Sequence, residues 1–334
     1  MEKKYDVYAI GNALVDTEIE VGDDFLKRMG LDKGLMTLVD EARQEQLLKG
    51  LASETRARKR ACGGSACNTV VATRHLGGAS YYACKVANDE TGDFFVRDLL
   101  AAGVDTNMGG RREDGVSGKC LVMVTPDAER TMNTFLGISQ SVSDSALDEQ
   151  AIAASRYVYL EGYLASADNA RAAAIRLRQL AEKHGVRTSL TFSDPAMVQF
   201  CRDGLADMLG DGVDLLFCNQ DEAQGYTDTD SPEAALQALK PLCNSLVITL
   251  GAKGALLWDG TASHHIDPLP AKAVDTNGAG DLFAGAFLYA ITHGHDFPTA
   301  GRLAAAASSR LIARFGPRLP ADDLLVVRRQ ILGE

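Results

Sequence analysis

At 334 residues, with 46% hydrophobic and 24% charged side chains, the chain carries enough apolar mass for one large α/β domain with an accessory element. Its 45 acidic against 34 basic residues, a formal charge of −11, argue against a general nucleic-acid or anionic-membrane surface and leave a small anionic ligand open. No stretch reaches the length of an apolar membrane span, and Met1-Glu2-Lys3-Lys4 runs at once into the apolar Tyr5 to Ile10, too short for a signal peptide, so a cytoplasmic protein is expected. Seven cysteines, an odd number without a C-x-x-C pair, read as reduced core residues rather than a disulfide frame or a zinc site.

In chain order, Asp6 to Gly11, Ser80 to Val86, Arg156 to Leu160, Arg187 to Phe192, Val213 to Cys218 and Ser245 to Leu250 are strand-like runs. They alternate with helical periodicity over Ser65 to Leu76, Thr91 to Ala102, Asn169 to Lys183, Ala196 to Met208, Pro232 to Leu239 and Asp281 to Thr292. Such alternation predicts a mainly parallel sheet with helices on both faces and a binding site beyond the carboxyl ends of its strands. Two regions break the rhythm: Asp16 to Val21 with Leu35 to Val39, and Gly118 to Thr125 with Arg130 to Leu136, read as paired short β segments with no helix inside either pair. Ala300 to Arg314 and Asp322 to Leu332 read as closing helices, which makes 1–334 one domain with an inserted β element from about 14–40 and 115–138.

The run Asp275-Thr276-Asn277-Gly278-Ala279-Gly280-Asp281 leads directly into the apolar helix Leu282 to Leu288. Two glycines around a small residue let successive N–H groups converge at a helix N-terminus, where the macrodipole favours an anion such as phosphate. Asp281 would repel that anion unless it takes a proton from a hydroxyl attacking it, so the segment points to phosphoryl transfer to an alcohol. The plain alternative is a glycine-rich turn in which Asp281 caps the helix. There is no G-x-x-x-x-G-K-[ST] loop, no H-R-D or D-F-G element, and Phe283 stands where the Rossmann spacing requires a third glycine.

Three further segments belong with that run: Gly63-Gly64-Ser65-Ala66-Cys67-Asn68, Asn219-Gln220-Asp221-Glu222, and Thr249-Leu250-Gly251-Ala252-Lys253-Gly254. Together, and in this order, they resemble the signatures of the ribokinase family, also called the PfkB carbohydrate and nucleoside kinases, over nearly the whole chain. The resemblance implies a ribokinase-like three-layer α/β/α fold with a mainly parallel central sheet and a small β-sheet lid, assembled from the two irregular regions. It also implies ATP and Mg²⁺ as cofactors, a small-molecule acceptor, and either a monomer or a homodimer formed through the lid.

By the same resemblance, Asp281 is the general base and the amides of Asn277, Gly278, Ala279 and Gly280 stabilise the transferring phosphoryl group. Asn12, Asp16, Gly63, Gly64 and Asn68 match the positions that hold sugar hydroxyls. Without the resemblance, Asp16 is a strand-end acid and Asn68 a polar residue at a helix start. Glu222 would act on Mg²⁺ through water, and Asn219, Thr249, Gly251 and Gly254 would line the nucleotide, with Arg130 reaching from the lid toward the phosphates. Asp275 and Asn277 match part of a loop that holds a monovalent cation, usually K⁺, in many members. Arg314-Phe315-Gly316-Pro317 departs from the sugar-kinase pattern there, which leaves K⁺ open.

Gly11-Asn12-Ala13-Leu14-Val15-Asp16 resembles the opening of adenosine kinases more than that of ribokinases. A purine needs an apolar sandwich, and Leu35, Met36, Met132 and Phe135 are candidates for it. The expectation is phosphorylation of a nucleoside 5′-hydroxyl, adenosine to AMP. The alternatives are a kinase of ribose, fructose or 2-keto-3-deoxygluconate, favoured by polar lining beyond Asp16 and Asn68, and a non-catalytic nucleoside- or nucleotide-binding regulator.

Overall fold

Strand residues buried on both sides can sit only in a sheet covered on both faces, and Tyr5–Ile10 is buried at every position. The computed structural model describes residues 3–52, 58–110, 112–127 and 129–334; residues 1–2 of the N-terminal segment and 128 of the second β insertion lie outside the described residues. The strands in chain order are β1 (Tyr5–Ile10), β2 (Leu14–Glu20), β3 (Met36–Leu38), β4 (Arg58–Gly63), β5 (Ser80–Ala83), β6 (Asp105–Thr106) and β7 (Gly118–Val124). They continue with β8 (Arg130–Phe135), β9 (Ser155–Glu161), β10 (Arg187–Thr191), β11 (Leu215–Asn219), β12 (Leu246–Thr249), β13 (Ala255–Trp258) and β14 (Ser263–Ile266).

The large sheet has the order β14-β13-β12-β11-β10-β9-β1-β5-β6. From β12 to β6 every neighbouring pair is parallel, and β13 and β14 close one edge in antiparallel fashion. Alternation along β1 sends Val7 and Ala9 into a core with Ser65–His75, Ala279–Thr292 and Phe297–Ile312. It sends Tyr8 and Ile10 into a second core with Asp168–Lys183, Arg202–Leu209 and Pro232–Leu239. This is the ribokinase-like three-layer arrangement. No helix of the described residues is long and apolar enough to cross a membrane.

The second sheet has the order β3-β8-β7-β2-β4. The β7–β8 hairpin forms as expected, but a helix, Asp23–Met29, lies between β2 and β3 where none was expected. Its signals are local: acids in the first turn, Lys27 and Arg28 in the last, and a left-handed Gly30 at the C-cap. A second helix, Glu41–Leu51, and the strand β4 also come from segments the sequence pattern left unmarked. These two helices bury Phe25, Leu26, Leu47 and Leu51 against Ile19, Leu121 and Met123, so the chain itself covers the outer face of the small sheet. The single helix expected over Ala196 to Met208 is two, Pro195–Phe200 and Arg202–Leu209, broken at Cys201.

A close helix contact sits behind the cleft. A Cβ at Gly285 would overlap the Thr69 carbonyl oxygen and lie 2.7 Å from Ala72 Cβ, and Thr73 Oγ1 donates to the Gly285 carbonyl at 3.0 Å. Gly285→Ala is expected to force Ser65–His75 and Ala279–Thr292 apart at a cost of about 1–3 kcal/mol, read as a lower midpoint in urea unfolding with an unchanged m-value.

Candidate active site

A cleft of about 360 Å³ opens beyond the carboxyl ends of β1, β9, β11 and β12, beneath the small sheet. At its floor, Gly278 caps the helix Ala279–Thr292 in a left-handed conformation, φ 70°, and a side chain there would collide with the Pro317 carbonyl oxygen. Asn277, Gly278, Ala279, Gly280 and Asp281 all line the cleft at this N-terminus. Asp281 is the third residue of the helix and stands where the first-turn amides and the dipole meet. Its Oδ1 accepts from Ser65 Oγ at 2.7 Å and its Oδ2 from Asn68 Nδ2 at 2.9 Å, both from Ser65–His75. Burial pushes its carboxyl up to about 6, against the pull of those two hydrogen bonds and of Arg318 and Arg130.

The wall nearest β1 carries Asn12, Asp16, Gly64 and Asn68. Burial pushes Asp16 up to about 7, and the missing side chain of Gly63 makes room for its carboxylate. Gly64 has φ 96°, and a side chain there would strike the Asn12 carbonyl oxygen, which accepts from Tyr82 Oη at 3.0 Å. Glu161, at the end of β9, takes the Asn12 amide N–H at 3.1 Å, Asn12 Nδ2 at 3.2 Å and the Ala66 N–H at 2.9 Å. Asn12 Nδ2 is therefore used, and its buried Oδ1 has no partner among the described residues. Burial holds Glu161 up to about 7 despite these donors.

Alternation along the small sheet puts Leu14, Met36, Leu38, Val122, Met132 and Leu136 on the cleft, with Cys120 and Thr134 between them. Met36 and Met132 are neighbours across β3 and β8. Phe135 and Leu35 do not line the cleft: Phe135 is out of phase with Met132 on β8, and Leu35 precedes Met36 and stays exposed. Period-two alternation alone rules out Met132 and Phe135 sharing a face.

At the other end, Asn219, Glu222 and Thr249 line the cleft. Asn219 caps the helix Gln220–Thr227 and forms a reciprocal capping box with Glu222: Glu222 N–H donates to Asn219 Oδ1 at 2.8 Å, and Glu222 Oε2 accepts the Asn219 N–H at 3.0 Å. Burial pushes Glu222 up to about 8, assisted by Asp194, Asp221 and Asp281. Asp194 also lines this end, and no three metal-ligating side chains gather into a cage among the described residues. A surplus of carboxylates without a cage fits a hydrated magnesium ion, which keeps most of its waters. Gly251 and Gly254 lie off the cleft; a side chain at Gly254 would strike the Ile266 carbonyl oxygen, so this glycine serves the β13–β14 hairpin.

Arg130 lines the cleft from β8 but spends its guanidinium on the cradle, with Nε 3.1 Å from Asp275 Oδ1 and Nη2 donating to Thr276 Oγ1 at 3.0 Å. The fully buried Asp275 also accepts the N–H groups of Asn277 and Gly316, both at 2.9 Å. Three donors, one of them a cation, therefore occupy the Asp275 carboxylate. Ser65, Glu161 and Arg318 are functional candidates that sequence reasoning missed. Ser65 stood inside a recognised segment, whereas nothing local marks Glu161 at the end of an apolar strand.

The pattern described as pfkB family carbohydrate kinase matches residues 35–324. The adenosine kinase of Saccharomyces cerevisiae is 27% identical over 341 residues, covering 94% of this chain and 97% of that protein. A probable sugar kinase from Rhizobium etli superposes with a TM-score of 0.91 at 33% identity, over 98% of both chains. The adenosine kinase of Sinorhizobium meliloti gives 0.89 at 33% identity, over 98% of this chain and 99% of its own.

Glu161 sets a test independent of turnover. Its folded pKa is raised, so the native state holds the proton more tightly than the unfolded chain; that stability is complete below about 4 and is lost as pH rises through about 7. Glu161→Gln should lower Tm at pH 5, where the native acid is protonated, and flatten the fall of Tm between pH 5 and 8 relative to wild type. Equal slopes in scanning calorimetry would contradict this assignment.

Proposed function

The chain belongs to the pfkB family of carbohydrate kinases and is a phosphotransferase with an alcohol acceptor, and from that premise we propose that it transfers the γ-phosphate of ATP to the 5′-hydroxyl of adenosine. The observation that carries the acceptor is the composition of the small sheet's inner face. Leu14, Met36, Leu38, Val122, Met132 and Leu136 make an apolar stretch of the small sheet, bordered by Asp16 on the same face of β2 as Leu14 and by Asn12 and Asn68 from the large domain. An adenine ring suits that stretch and a ribose its polar border. The unpartnered Asn12 Oδ1 and the Asp16 carboxylate are acceptors for vicinal hydroxyl donors.

In this reading Asp281 takes the proton of the attacking hydroxyl as its oxygen bonds to the γ-phosphorus and the bond to the ADP oxygen breaks. Ser65 and Asn68 aim the carboxylate, and the amides at the start of Ala279–Thr292 donate to the phosphoryl oxygens. Glu222 and Asp194 would hold waters of the Mg²⁺ that comes with ATP. That ion supplies neutralisation of the phosphate charge. The small sheet acts as the lid that excludes water, and the Arg130 contact with Asp275 and Thr276 joins it to the cradle. Because Arg130 already supplies positive charge beside Asp275, K⁺ is not required. The Rhizobium etli likeness supports a free-sugar acceptor as the second reading.

An acceptor panel of adenosine, other nucleosides, ribose, fructose and 2-keto-3-deoxygluconate, with ATP and Mg²⁺ in K⁺ or choline salts, separates these readings. Adenosine should lead, at equal rates in both salts; preference for a free sugar would overturn the acceptor, and no phosphorylation of any acceptor would favour a binding regulator. Asp281→Asn should retain adenosine binding and lose about 10²–10⁴-fold in kcat. For wild type, log kcat/KM should fall with a slope of at least one as pH drops below about 6, where Asp281 takes up a proton, Asp16 and Glu222 having been pushed up to about 7 and about 8 in the same cleft.

A further inference from the structure

Behind the cleft, the segment Gly316 to Pro320 leads into the helix Ala321–Leu332 and is pinned to the cradle. Gly316 N–H donates to Asp275 Oδ2, the Pro317 carbonyl packs on Gly278, and the Leu319 carbonyl lies 3.0 Å from His75 Nδ1. Arg318 stands in the middle of this segment with its side chain 15% exposed. Its Nε donates to Asn68 Oδ1 at 2.8 Å. Its Nη1 faces Cys62 Sγ at 2.8 Å and Asp98 Oδ2 at 3.4 Å, and its Nη2 faces Cys67 Sγ at 3.2 Å. Thiols are weak acceptors, and the one carboxylate is distant. These partners are a poor return for burying a guanidinium.

We propose that Arg318 is a positioning residue: by holding Asn68 Oδ1 it fixes the Asn68 amide so that Nδ2, and not the oxygen, faces the Asp281 carboxylate. The two ends of an Asn amide are nearly the same size, so packing cannot choose between them; only hydrogen bonds can. With the amide reversed, its oxygen would meet the Asp281 carboxylate and its NH₂ would meet the guanidinium, repulsive at both ends. Arg318 thus makes one orientation the only satisfied one. The chain of donors runs from Arg318 through Asn68 to Asp281, from segments 250 and 213 positions apart in sequence. The remaining void beside Asn68, His75 and Arg318 is about 10 Å³, room for one water at most.

This inference rests on Asp281 being the base, and the test separates the two. Arg318→Lys keeps the positive charge and loses the fork; Arg318→Met keeps the apolar stem and loses both. Two readouts are compared with wild type: the acid limb of kcat/KM, and the titration of the Asp281 carboxyl followed by ¹³C NMR in the ligand-free protein. Both variants should move limb and titration upward, by about one pH unit for Met and less for Lys, which is up to about a tenfold loss below the limb that recovers as pH rises. Asp98→Asn, which touches Arg318 but not Asn68, should leave both in place. A shift in Arg318→Met with Arg318→Lys unmoved would overturn the proposal, since charge alone would then suffice; so would a lowered Tm with both readouts unmoved. If Arg318→Met does not fold, the Lys variant decides alone. If wild type phosphorylates no acceptor, the kinase reading falls, and the Asp281 titration still decides the role of Arg318.

Discussion

A carboxylate placed at a helix N-terminus and partly withdrawn from water at the floor of a cleft is the constraint around which this molecule is arranged. Loss of solvent disfavours the charged form of Asp281, and the hydrogen bonds from Ser65 and Asn68 offset that cost at both oxygens. The donors come from Ser65–His75, so that helix must lie against Ala279–Thr292 at the distance only a glycine at 285 allows. The glycine of the cradle, the turn that precedes it and the Gly316 to Pro320 segment behind it follow from the same need. The packing of two helices against the sheet and the chemistry at their ends are therefore one problem.

The electrostatics of the cleft are unusual for a site that would receive a polyanion. Asp16, Glu161, Glu222 and Asp281 are all pushed upward by burial, and the two guanidinium groups near them, Arg130 and Arg318, are both engaged with protein acceptors. Neutralisation of the phosphates then falls to the helix amides and to a cation arriving with the nucleotide. Carboxyl groups pushed up toward neutrality by burial would release protons as such a cation enters, which couples nucleotide binding to the ionisation of the site.

The parts of this design that were legible in the sequence are those in which chemistry is packed into consecutive residues. The cradle from Asp275 to Asp281 and the Gly63–Asn68 turn each announce themselves, because tight turns at helix starts demand glycine at fixed offsets. The parallel sheet was legible too, since strands covered on both faces leave continuous apolar runs. What the sequence hid is nonlocal. Glu161 meets Asn12 across 149 positions and Arg318 meets Asn68 across 250, and no local periodicity encodes either. Phe135 suits the cleft by residue type but not by phase on its strand. The helix Asp23–Met29, at 7 residues, is too short to establish an apolar stripe.

The balance between a nucleoside and a free sugar can be argued from area. A sugar would satisfy Asn12, Asp16 and Asn68 and leave the six apolar side chains of the small sheet in contact with water. An adenine ring laid against them removes about 100 Å² of apolar surface from water, which at about 25 cal/mol per Å² is about 2.5 kcal/mol, or nearly two powers of ten in affinity. Leu38, 50% exposed in the ligand-free chain, belongs to that wall, and an exposed leucine at a cleft mouth stabilises nothing until something covers it. In the proposed reading the hydroxyl-binding groups suit either acceptor, so the discrimination between them would fall to the wall, through apolar contact rather than hydrogen bonds.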